Sequence, residues 1–203
     1  MLTYSDMVTL LLTFFIMLVS ISKIDANQYE QVQSGLKEGI SKNKTERPLE
    51  QLKTDMKALM ETLQIDGFAA VGTDQDGVVF ELASSLLYDS GAAAIRQDGA
   101  PVVQALARTL LEPRYNAFQI EVQGHTDDVP IATAMFPSNW ELSAARATGV
   151  VRMFIQAGIQ PQRLKAIGLA DVAPKVSNRD PNNVPLPQNQ EVNRRIAVRV
   201  YPR

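Results

Sequence analysis

Residues 141–156 carry a charge where a helix should have none. Placed at 100° per residue, Leu142, Val150, Val151, Met153 and Phe154 share one broad face, and Glu141, Thr148, Arg152 and Gln156 occupy the other. Arg146 falls in the apolar sector, and Ser143 falls there with it. A guanidinium turned toward a core is costly unless paired, so the fold or a ligand must supply an anion. Opposite charge is available in Gly124-His-Thr-Asp127-Asp128, at the exit of a strand expected to lie beside this helix. An Asp and an Arg facing each other there form a two-pronged site for a zwitterion, the carboxylate taking an ammonium and the guanidinium taking a carboxylate. Diaminopimelate, which has two such ends in many bacterial walls, meets that demand, although the chemistry does not select it over other amino acids. A salt bridge of Arg146 inside the domain answers the same need.

Asp6 is the second charge that asks for an explanation, because it opens the longest uncharged run of the chain, residues 7–22. Within a membrane span a carboxylate belongs to an ion or proton pathway whose partner lies elsewhere. On a soluble helix Thr3-Tyr-Ser-Asp6 is an ordinary capping box. The uncharged run falls short of the roughly 18 residues expected of a span, and residues 2–6 supply the missing length with one buried acid. A signal peptide would need a basic flank and a small-x-small cleavage motif, which the segment lacks.

Composition excludes several alternatives. A net charge of −2 over 203 residues gives no basic face for nucleic acid. Without cysteine there is no disulfide framework or thiolate site, and a single histidine leaves little for zinc. His125, Asp127 and Ser143 list the residue types of a triad, but no strained nucleophile elbow accompanies them, so no enzyme is expected. Asp127 and Asp128 lack further ligands for a cation. His125 reads as a hydrogen-bonding strand-end residue, Trp140 as core packing, and Lys42, Lys44 and Arg47 as a solvated linker.

The elements that must position these groups follow from pattern. Beyond the apolar run, a sparse helical stripe passes through Ile24, Tyr29, Val32, Leu36 and Ile40, weakened by Gly35 and Gly39. Residues 41–48 break it, and a second amphipathic piece covers residues 49–63. Both helices read as solvated connectors. From residue 64 a compact unit is expected: strands over residues 68–71 and 78–82 joined by a hairpin, a helix over 99–111, and an alternating strand over 117–123. A helix opened by the capping box Ser138 and Glu141 should run to Gly158. Another strand is expected over residues 163–168, then a Pro/Asn-rich loop, then a final strand through Ile196, Val198 and Val200.

Several separated motifs, in order, carry a resemblance. Gly124-His-Thr-Asp127, Asn139-x-x-Leu142-Ser143-x-x-Arg146-Ala147, Gly168, Pro174 and Asn193-Arg194-Arg195 together resemble the OmpA-like peptidoglycan-binding domain. Asp127-Asp-Val-Pro130 followed by residues 136–146, with Thr3-Tyr-Ser-Asp6 ahead of Thr9-Leu-Leu-Leu12, resembles the MotB family of flagellar stator subunits. The departures are a cytoplasmic leader that the family carries before Met1 and an unaligned loop over residues 177–190. The resemblance implies an α+β chain in three parts: a transmembrane helix (1–24), a plug helix and polar linker (25–63), and an OmpA-like α/β sandwich domain (64–203). It implies that Asp6 binds the transported ion, proton or sodium, with no other cofactor. Tyr29, Val32, Leu36 and Ile40 become the plug. Asp127 and Arg146 hold the wall peptide, while Thr126, Asn139, Leu142, Ser143, Asn193 and Arg194 shape or support the pocket. The implied partners are a ring of MotA-type membrane subunits around a homodimer of this chain, and peptidoglycan. The implied location is the bacterial inner membrane, single-pass, with the C-terminal domain on the wall side. A membrane-tethered wall anchor without ion conduction, and a non-flagellar MotA/MotB-like complex, are the alternatives.

Overall fold

The computed structural model describes residues 2–21 and 48–203. The plug residues Tyr29, Val32, Leu36 and Ile40 lie outside the described residues. Helix α1, Leu2–Ile21, has neither proline nor glycine, and residues 3–20 are all exposed. Twenty residues at 1.5 Å each span about 30 Å, the thickness of a bilayer's hydrocarbon core. Thr9 and Thr13 donate their hydroxyls to the carbonyls of Asp6 and Leu10, at 2.8 and 3.1 Å, which hides them within the helix. On the helical wheel Asp6, Thr9, Thr13 and Ser20 fall within one narrow stripe, and from Met7 onward every other residue is apolar.

The second described part is a two-layer α/β unit. Its elements are α2 (Pro48–Leu63), β1 (Ala69–Thr73), β2 (Val78–Ala83), the short α3 (Ser84–Leu87), α4 (Ala100–Leu110), β3 (Phe118–Gly124), α5 (Asn139–Ala157), β4 (Leu164–Gly168), α6 (Pro187–Asn193) and β5 (Arg195–Pro202). The sheet order is β1-β2-β5-β3-β4. Only β3 and β4 pair in parallel, joined through α5 as a parallel pair requires. The strand alternation read from sequence is realised in register: Val122 faces Val198, and Val198 faces Phe80 on the other side. Those apolar side chains meet Leu106 and Leu110 of α4 and Val150 and Phe154 of α5 in one core. The other face of the sheet is charged, with Arg195 bonded to Glu81 at 3.1 Å and Arg199 to Asp74 at 2.7 Å.

Two expectations are corrected. Residues 49–63 are not a solvated connector, because α2 packs on α4, β1 and β2 and buries Leu49, Leu52 and Met56 in the common core. Tyr115 reinforces it by donating to Asp55 at 2.7 Å. The packed unit therefore includes Pro48–Leu63, ahead of position 64. Trp140 is not core packing either. It is 49 % exposed, since it lies about 100° around the helix from Asn139 and away from the inward face of Leu142 and Arg146.

Two glycines determine how closely α5 approaches the sheet. A Cβ on Gly124 would lie 2.1 Å from the Ser143 carbonyl oxygen, and one on Gly168 would lie 2.7 Å from the Ala144 nitrogen. Only the absence of a side chain lets the first turns of α5 rest directly on the ends of β3 and β4.

Candidate functional site

The chain leaving β3 is held from both sides. His125 donates its backbone N–H to the Arg195 carbonyl at 2.9 Å, and Thr126 donates to that of Ala170 at 2.8 Å. This pairing delivers Asp127 in a fixed pose, with its side chain only 9 % exposed. One carboxylate oxygen accepts from the Val129 N–H at 3.2 Å. The Asn139 amide donates to the carbonyls of Asp127 and Val129, at 3.3 and 3.1 Å, and so braces the turn from the start of α5. Ser138 and Glu141 form the capping box read from sequence. Gly158 ends the helix at φ 110°, where a side chain would be strained.

Arg146 points inward as its helical phase requires and is 4 % exposed. Its anion is not a carboxylate. Nε donates to the Ala92 carbonyl at 2.8 Å, Nη2 approaches the Asp89 carbonyl at 3.4 Å, and the guanidinium lies 5.0 Å from the centre of the Tyr88 ring. Tyr88 returns a hydrogen bond from its hydroxyl to the Arg146 carbonyl at 2.9 Å. Carbonyl dipoles and a ring face solvate the charge without cancelling it. Burial pulls the Arg146 pKa below the ordinary guanidinium value, with the nearby Arg194 acting in the same direction and Asp127 against it. Burial raises the pKa of the Tyr88 hydroxyl, which stays protonated as a donor.

Asp127 and Arg146 line one cleft of about 460 Å³ but do not pair with each other across it. Asp127 instead binds Arg194, whose second terminal nitrogen binds Glu191. Of the other residues proposed for this site, Thr126, Asn139, Leu142 and Arg194 also line the cleft. Ser143 and Asn193 do not line it. Ser143 donates to the Trp140 carbonyl at 3.0 Å and accepts from the Ala170 N–H at 3.1 Å, tying α5 to the loop after β4. Asn193, fully buried, accepts from the N–H groups of Lys175 and Val176 and donates to Val176 and Asn178. Both support the site from behind.

Ser84, Tyr88 and Glu191 are among the cleft residues that were not singled out by sequence. Ser84 Oγ is buried and has no hydrogen-bond partner among the described residues. Glu191 stands one turn before Arg194 on α6, a helix too short for a periodic signal; Pro187 at its first turn was the available cue.

The Ser143 hydroxyl is occupied by backbone partners, and His125 Nε2 lies 3.4 Å from Gln123, so the three triad residue types are not aligned. Among the described residues there is no group of three or more metal-ligating side chains. Asp128 is engaged by Arg179 and by the Gln190 amide at 2.8 Å, which ties the site loop to the loop before α6 and to α6 itself. Burial would raise the Asp128 pKa, but these hydrogen bonds and the Arg179 charge outweigh it and lower the value.

Comparison with known proteins agrees with this geometry. The OmpA family matches residues 87–185, and residues 1–40 match the family described as membrane MotB of the proton-channel complex MotA/MotB. The uncharacterized protein YtxE of Bacillus subtilis is 34 % identical over 98 % of this chain and 86 % of its own length. Motility protein B of the same organism is 25 % identical over 98 % of this chain and 89 % of its own. The chain belongs to the MotB family. Its domain is OmpA-like, and the α+β architecture agrees. The solved cell wall anchor of the T6SS from Pseudomonas aeruginosa superposes with a TM-score of 0.62 at 28 % identity, over 73 % of this chain and 97 % of that one. The OmpA match ends at residue 185, short of Asn193 and Arg194, which the sequence motif had named, and of Glu191, which the fold alone adds.

Proposed function

We propose that this chain is the B-type subunit of an ion-driven stator: it passes protons or sodium ions at Asp6 within a single inner-membrane span and anchors the complex to peptidoglycan through the cleft of Asp127 and Arg146. The observation that carries the reading is the pairing, in one MotB-family chain, of a carboxylate near the start of a bilayer-length apolar helix with a cleft holding an uncancelled buried cation beside a buried carboxylate. The cleft suits the zwitterionic end of diaminopimelate, its carboxylate on Arg146 and its ammonium on Asp127. Asp6 heads the polar stripe of Thr9, Thr13 and Ser20, which in hydrocarbon must face protein or ions. The partner on that stripe is a MotA-type subunit, in a ring around a dimer of this chain. Tyr29, Val32, Leu36 and Ile40 serve as the plug of the unassembled complex. Ion passage turns the ring while the wall-bound domain, on the outer side of the membrane, stops the complex from turning as a whole. The protein acts as a coupling and anchoring subunit and not as an enzyme.

The test compares two substitutions in a stator-null strain that also expresses the MotA-type partner. Asp6→Asn keeps shape and capping ability but cannot carry charge. It should insert, bind insoluble peptidoglycan as wild type does, and fail to support swimming in soft agar. Arg146→Ala should stay folded by circular dichroism and lose sedimentation with the wall. Normal swimming by Asp6→Asn, in a strain whose swimming depends on this chain, assigns it instead to passive wall anchoring. Wild-type sedimentation by Arg146→Ala removes the cleft from contention.

A further inference from the structure

We propose that Arg194 is an internal competitor for Asp127, with Glu191 as its fallback partner, and that this competition restricts the cleft to ligands bearing both an ammonium and a carboxylate. The inference rests on reading the cleft as a site for the wall's amino acid. The charges begin unequal. Arg146 is buried among carbonyls with no carboxylate partner among the described residues, whereas the Asp127 carboxylate is already engaged by Arg194. Asp127 cannot swing out of the cleft, because Val129 N–H holds one of its oxygens and Asn139 holds its carbonyl.

Arg194 is differently placed. Its side chain is 36 % exposed and bridges two carboxylates, Asp127 and the more exposed Glu191 one turn earlier on α6. Burial would raise the Glu191 pKa, but hydrogen bonds from Ser85 and Arg194 outweigh it, so Glu191 is held ionised as a seat for the guanidinium. Leaving Asp127 therefore costs Arg194 one of two charge-assisted bonds and not both.

Selectivity follows from the sum. Asp127 and Glu191 balance Arg146 and Arg194, while Asp89, a third acid on the lining, is turned outward to Arg96 at 3.3 Å; a zwitterion adds no net charge to this set. A ligand with only a carboxylate meets Arg146 and gains nothing at Asp127. One with only an ammonium must displace Arg194 and leaves Arg146 unanswered. A ligand with both satisfies Arg146 and Asp127 together while Arg194 retains Glu191. Glu191 is thus a positioning residue, acting through Arg194 and without touching the ligand.

The experiment measures binding of the full chain in detergent to a diaminopimelate wall tripeptide with its side-chain amine free, and to the same tripeptide with that amine acetylated. Removing the competitor in Arg194→Gln should tighten binding of the free-amine peptide by about three- to tenfold. Glu191→Gln, which leaves Arg194 only Asp127, should weaken it by a similar factor. Both variants should bind the acetylated peptide as wild type does. Weaker free-amine binding by Arg194→Gln with unchanged melting, or wild-type binding by Glu191→Gln, overturns the inference. If Asp127→Ala still abolishes binding in that case, the wall site stands and only the competition is refuted. No free-amine binding by the wild type removes both.

Discussion

Gly124→Ala keeps every charge of the cleft and should still disable it. The added Cβ would lie 2.1 Å from the Ser143 carbonyl oxygen and 2.9 Å from its carbonyl carbon. An ordinary carbon–oxygen contact is about 3.3 Å, so the overlap is about 1.2 Å and lies between two backbones, where no rotamer relieves it. Helix α5 must withdraw from β3 by about that distance. Arg146 lies less than one turn beyond Ser143, and its 2.8 Å bond to the Ala92 carbonyl would stretch past hydrogen-bond range. Overpacking costs about 1–3 kcal/mol, and a bond from a charged donor contributes about 1.5–3 kcal/mol, so roughly 2.5–6 kcal/mol is at stake. For a domain of this size each kcal/mol moves Tm by about 2–4 °C, which predicts a fall of roughly 5–24 °C. Calorimetric melting should show it, and wall sedimentation should be lost at temperatures where the variant is still folded. Gly67→Ala is the control, since a Cβ there meets nothing within 4 Å. Equal melting temperatures for the two variants, with wall binding intact in both, would refute the account of α5 as the element that sets the cleft.

Two further outcomes test the fold beneath the site. A chain beginning at Pro48 should unfold cooperatively, and one beginning at Gln64 should not. Within the longer chain Leu52→Ala, at a fully buried position, should cost about 2–5 kcal/mol in urea titrations; a cooperative, equally stable shorter chain would return α2 to the connector. Burial, and then the charge of Arg195, hold the His125 pKa at about 4 against an ordinary 6.5. The unfolded chain therefore takes up the proton first, and stability should fall as pH drops from about 6.5 to about 4. At about 1.4 kcal/mol per pH unit the loss is roughly 3 kcal/mol. Urea midpoints across that window should slope for wild type and much less for His125→Gln; parallel profiles would contradict the assignment.

Much of this unit is legible because its signals are local. Phe118, Ile120 and Val122 alternate because a strand has period two, and they are buried as that period requires. Ser138, Glu141 and Gly158 mark the ends of α5 because caps answer the helix's own unpaired groups. The inward phase of Arg146 follows from the same helical geometry. Helices α3 and α6 are too short to show a period. The helix α2 was misplaced for a different reason: its stripe of Leu49, Leu52 and Met56 shows that a partner surface is needed, while the surface itself comes from α4, β1 and β2, distant in sequence.

The same distinction governs the site. A guanidinium in an apolar sector shows that an anion or dipole must meet it, but the carbonyls of Asp89 and Ala92 carry no side-chain signature. Asp127 shows that a cation must meet it, and Arg194 reaches it only because α6 and the start of β5 return beside β3. The separation of the two charges therefore depends on backbone approach. Asp127 is set by pairing of its strand exit with the residues around β4 and β5, and Arg146 by the distance that Gly124 and Gly168 allow between α5 and the sheet. A cleft built this way is as vulnerable to a methyl group at either glycine as to the loss of either charge.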